Sequence, residues 1–68
     1  MASVEHRVVV DGEIGTLYAG AFEGMRVDSA GGKSTIVGPV EDEAELQGLL
    51  ARIASLGLAL ISVVPVDG

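Results

Sequence analysis

Two hydrophobic periods alternate along this chain, and the switches between them mark its elements. Ser3 to Val10 is rich in valine and stops at Asp11-Gly12, which predicts a first strand. Val4, His6, Val8 and Val10 then share one face, with Glu5, Arg7 and Val9 on the other. Ile14, Leu17, Tyr18, Ala21 and Phe22 follow at spacings of three and four, a helical stripe opened by Asp11 or Gly12 and closed by Gly24. Gly15 and Gly20 each cost that helix about 1 kcal/mol against alanine, so it is expected to be short and held by packing. Met25 to Ser29 alternates again, with Met25 and Val27 against Arg26 and Asp28. Ala30-Gly31-Gly32 turns the chain into a β-branched strand from Lys33 to Val40, giving a hairpin closed by Gly38-Pro39.

The clearest helix runs from Asp42 to Leu56. Asp42 with Glu45 three residues on fits a capping box, and Glu43 and Glu45 suit the positive start of the helix. Leu46, Leu49, Leu50, Ile53 and Leu56 fall within one wedge at 100° per residue. Gly57 is the stop, with Leu58 placed to touch Ile53 in a Schellman motif. Ala59 to Val66 is the last strand. The predicted order is therefore β-α-β-β-α-β in a single domain over residues 1–68. That is the ferredoxin-like α+β plan, a four-stranded antiparallel sheet with both helices on one face and the first helix short.

Composition sharpens this into a question about partners. The chain has 68 residues, no cysteine and one histidine, so neither disulfides nor a Cys- or His-rich metal site can brace it. Apolar residues make up 49%, charged ones 21%, and the mean hydropathy is +0.51. A chain this small has a high surface-to-volume ratio, so part of that apolar area must reach the surface, and self-association is expected. The net charge of −6, with Arg7, Arg26, Lys33 and Arg52 scattered, gives no basic footprint for nucleic acid and opposes anionic membranes. Ile53 to Val66 carries no charge, yet it is too short to span a bilayer as a helix and contains Gly57 and Pro65. Glu5 and Arg7 interrupt the apolar start where a secretory signal would need continuity, so a cytoplasmic location is expected.

Four groups resemble chemistry and dissolve when their context is weighed. Gly31-Gly32-Lys33-Ser34-Thr35 looks like the end of a phosphate-binding loop. However, Val27 stands where the motif needs glycine, and a strand, not a helix, follows. Glu41, Asp42, Glu43 and Glu45 are dense in acid, but successive helical positions diverge, and a dipole-matched helix start explains them. His6 has no Ser, Cys or paired acid within a motif. Tyr18 and Phe22, four apart, read as core packing rather than ligand stacking. No catalytic, cofactor or metal residues are assigned.

The outer side of the long helix is less ordinary. Ala44, Gly48, Ala51 and Ser55 form a small-residue stripe opposite the leucines, and Gly48 opposes helix stability. Such a stripe allows close approach by another backbone, while alanine as a good helix former is an equally simple account. The last strand is apolar on both sides, with Leu60, Val64 and Val66 alternating with Ile61 and Val63, and in the expected fold it lies at a sheet edge. The candidate oligomer interface is thus Ala44, Gly48, Ala51, Ser55, Leu60, Ile61, Val63 and Val64, with Pro65 limiting strand pairing.

Gly38-Pro39-Val40, Ala44 to Ile53, Leu56-Gly57-Leu58 and Leu60 to Val63 together resemble a family of small, uncharacterised bacterial proteins with a GPVxDxAxLxGLLxRI…LGLxLISV ending. Gln47 and Ser55 depart from the histidine and aspartate usual there. The resemblance implies the fold and no catalytic residues. The leading expectation is a non-enzymatic, homo-oligomeric structural or interaction protein. The alternative is a regulatory module similar to ACT domains, holding a small molecule at a subunit interface. An enzyme using His6 with a carboxylate comes third.

Overall fold

The computed structural model describes residues 3–15, 20, 22 and 24–66. Strands β1 (Val4–Asp11), β2 (Arg26–Ala30), β3 (Lys33–Val40) and β4 (Ala59–Pro65) form one sheet in the order β2-β3-β1-β4, and every neighbouring pair is antiparallel. Among the described residues there is one α-helix, α1 (Glu43–Ser55). The fold is thus α+β with a four-stranded antiparallel sheet, as the hydrophobic periods predict.

The local signals act through the expected contacts. Gly31 and Gly32 both take positive φ, 61° and 79°, which the two-residue turn between Ala30 and Lys33 needs to match the twist of its strands. Asp42 caps α1 by accepting the Glu45 N–H at 2.8 Å. The Glu45 carboxylate reaches back one residue further than in the usual box, to the Glu41 N–H at 3.1 Å. At the other end Gly57 N–H donates to the Ala54 carbonyl and Leu58 N–H to that of Ile53, the paired bonds of a Schellman motif. Leu49 and Ile53 of α1 pack on Val8, Val10 and Ile36 of the sheet, and Ile14 and Phe22 complete the buried cluster.

The ferredoxin-like β-α-β-β-α-β order is not matched, because the described elements run β-β-β-α-β. The expected first helix is the difference. Leu17, Tyr18 and Ala21 lie outside the described residues, Ile14 has no helical conformation, and Gly20 and Phe22 fall in short 3-10 turns. A physical reason is visible at its start. Ile14 N–H donates to Ser34 Oγ at 2.8 Å, and the Ile14 carbonyl accepts from Ser29 Oγ at 3.2 Å. Ser34 Oγ donates in turn to the Gly12 carbonyl at 2.8 Å. The backbone at the expected start of that helix, Gly12 and Ile14, is bonded to side chains of the hairpin.

A second difference lies in β4. Val9 pairs with Ser62 but Val10 pairs with Leu60, so Ile61 is an extra residue in a β-bulge. The bulge moves Leu60 onto the side of Val63, whereas plain alternation puts it with Val64. Gly38 and Pro39, expected to close the hairpin, lie inside β3.

Candidate functional site

The glycine turn, the acid cluster and Phe22 each have a place in the fold. Gly31 and Gly32 form the hairpin turn, and Lys33 is exposed at the first position of β3. Ser34 is 1% exposed and its hydroxyl is held by Ile14, Gly12 and Ser29 together, so it is a structural pin and not a nucleophile. Sequence reasoning missed it. The signal was present, because Ser34 alternates in phase with the inward Ile36, and Ser29 faces it across the turn.

Asp42 and Glu45 are engaged at the helix start, and no three His, Cys, Asp or Glu side chains come together to hold a metal ion among the described residues. His6 is half-buried and donates from Nδ1 to the Val4 carbonyl at 3.0 Å. It lines a shallow groove of about 260 Å³ with Val4, Val40 and Leu46, beside Glu41, Asp42 and Glu43. The hydrogen bond that orients the ring goes to a backbone carbonyl. Phe22 is core, 2% exposed, and Tyr18 lies outside the described residues. No described helix is long and apolar enough to cross a membrane.

The eight candidate interface residues separate into two surfaces. Ala44, Gly48, Ala51 and Ser55 are all exposed on the outer side of α1, directed away from the sheet. Leu60 (49% exposed), Ile61 (49%) and Val64 (39%) belong to β4, while Val63 is half-buried against the core. The helix layer stands between these groups, so they do not form one continuous patch.

Between α1 and the segment leading into β2 lies a wider groove, about 440 Å³, lined by Phe22, Met25, Pro39, Gly48, Leu49 and, at its rim, Glu45 and Arg52. Gly48 thus borders this groove, and nothing stands within 4 Å of where its Cβ would lie. No contact among the described residues requires glycine there.

The sheet face away from α1 has no covering layer among the described elements. The strand register places Glu5, Arg7 and Val9 of β1 on it, beside Thr35, Val37 and Pro39 of β3, Arg26 and Asp28 of β2, and Ser62 and Val64 of β4. Charges are spread across that face, so it reads as solvated despite its central valines. The β4 side differs. From Leu46 to Val66 the sole charged residue is Arg52, which faces the wide groove on the β2 side of α1. By helical geometry the opposite flank, above β4, carries Glu43 at its start, then Gln47, Leu50 and Ala54. Among the described residues, three of the four exposed large hydrophobic residues, Leu60, Ile61 and Val64, lie on this uncharged edge strand.

Comparison with known proteins assigns a family and goes no further. The model of a domain of unknown function, DUF8691, matches residues 5–64, and the chain belongs to that family. No curated protein and no solved structure matches the chain.

Proposed function

We propose that this member of the DUF8691 family is a non-enzymatic protein that works by associating with further copies of itself, using the β4 side of the molecule. The observation that carries the reading is the placement of Leu60, Ile61 and Val64, which lie exposed on an edge strand without a charge. An exposed edge of that kind is a template for pairing and normally carries charge when it must stay free. The small core supports the same reading, since only Leu49 and Ile53 of α1 are buried. A chain of this size gains from an oligomer what a larger domain gains from its own interior.

Gel filtration coupled to light scattering tests it. A mass that is a multiple of 6.9 kDa at micromolar concentration is expected, and the single-chain mass at every concentration would end the proposal.

The wide groove favours a second reading, a small-molecule-binding module. Its apolar floor of Phe22, Met25 and Leu49 with Glu45 and Arg52 at the rim has the mixed lining of a ligand pocket. A rise in melting temperature with one member of a metabolite panel, abolished by Gly48→Leu, would support it. A flat panel would remove it.

A further inference from the structure

The self-association reading leaves open how two copies meet, and the hydrogen-bond phase of the sheet answers this. In an antiparallel ladder, opposite residues alternate between pairs that exchange backbone bonds and pairs that do not. Val66 N–H donates to the Glu5 carbonyl at 2.7 Å, which fixes the phase between β4 and β1. Val64 opposite Arg7 and Ser62 opposite Val9 are therefore bonded pairs, and both spend their backbone groups inward on β1. The backbone groups of Val63 and Pro65 point the other way, off the sheet.

Two further features agree with that phase. Gly12 N–H donates to the Gly32 carbonyl at 2.7 Å, so Val10, Val8 and His6 direct their groups to β3 while the alternate residues of β1 serve β4. Pro65, which has no N–H, sits at an outward position where the β1 ladder loses nothing. At the free edge of β4, Val63 thus offers a full N–H and C=O pair, and Pro65 offers a carbonyl alone.

The other edge of the sheet is protected. The outward residues of β2, Val27 and Ser29, are flanked by exposed Arg26 and Asp28, which disfavour another strand beside them. On β4 the bulge at Ile61 and the proline at 65 bracket a short regular run. Those two features permit a brief pairing and oppose its indefinite extension. Charge selects the occupant. Chains of net charge −6 repel one another wherever their acids meet, yet β4 itself carries no charge from Ala59 to Pro65, so two β4 strands lie side by side without opposing acids.

Resting on the self-association reading above, we infer that two copies of this chain join edge to edge, β4 antiparallel to β4, with the backbone N–H and C=O of Val63 bonded across the junction. The product is one sheet continuous through both copies, closed by a two-fold axis normal to the sheet, with both α1 helices on the same side.

Amide hydrogen exchange followed by NMR on the full chain tests the geometry. In a lone chain Ser62 and Val64 are protected by β1 and Val63 is not. In the joined pair Val63 exchanges as slowly as its two neighbours, and its protection grows with protein concentration. Val63→Pro removes the outward N–H together with the valine packing and is expected to return the native mass to that of one chain, while Val63→Ala loses the same packing but keeps the N–H and the pair. Fast Val63 exchange in a sample whose mass is a multiple of the chain overturns the edge geometry and leaves self-association standing. A single-chain mass throughout overturns both. If Val63→Pro does not fold, the exchange pattern of the unmodified chain decides alone.

Discussion

Ser34→Ala removes one oxygen from a place where three groups depend on it. Ser34 Oγ accepts from Ile14 N–H at 2.8 Å, donates to the Gly12 carbonyl at 2.8 Å and lies 2.9 Å from Ser29 Oγ. Ser34 and Ile14 are both buried, at 1% and 7% exposure, so water does not readily replace the lost hydroxyl. Leaving one buried backbone donor without a partner costs roughly 1–3 kcal/mol, and losing the bond to Gly12 adds on the order of 1 kcal/mol. A total near 3 kcal/mol is a large share of the roughly 3–10 kcal/mol expected for a domain of this length. Urea denaturation followed by circular dichroism would read the loss as a lower midpoint at unchanged slope. Heating would read it as a fall of roughly 10–20 °C in Tm. Ser29→Ala, at a more exposed hydroxyl, should cost about 1 kcal/mol. A Ser34→Ala cost below about 0.5 kcal/mol would refute the view that this hydroxyl ties the segment after β1 to the hairpin.

Three further substitutions probe other parts of the molecule. Gly48→Ala meets no atom within 4 Å, so it should stabilise α1 by about 1 kcal/mol in thermal denaturation. It should leave the native mass unchanged, whereas an interface built on the small-residue stripe would weaken. Asp42→Ala deletes the cap on Glu45 N–H and should cost about 1 kcal/mol in the same assay. Gly38→Ala drives a methyl into the Met25 side chain and to 3.2 Å from its Cα, so a cost of about 1–3 kcal/mol in urea denaturation is expected. A neutral Gly38→Ala would contradict the close approach of Met25 to β3.

The parts of the fold written in adjacent residues were legible. Asp42, the leucine wedge and Gly57 each act on partners within a few positions, and α1 starts and stops where they place it. The glycine pair turns the hairpin for the same reason. The expected start of the helix after β1 has partners far along the chain. Ile14 is held by serines fifteen and twenty residues away, and no periodicity in its own segment reports them. The bulge at Ile61 is likewise a property of how β4 registers on β1, invisible in an apolar run. The candidate site divided along the same line. The exposure of Leu60, Ile61 and Val64 was readable from an uncharged last strand. Their separation from the helix stripe required the packing of α1 on the sheet.

Sedimentation equilibrium on the unmodified chain beside Ile61→Lys tests the self-association claim most directly. Ile61 is half exposed on the bulge, so lysine there adds charge to the β4 edge without entering the core. The account predicts a multiple of 6.9 kDa for the unmodified chain and the single-chain mass for Ile61→Lys, with circular dichroism unchanged. Equal masses for the two proteins would contradict it.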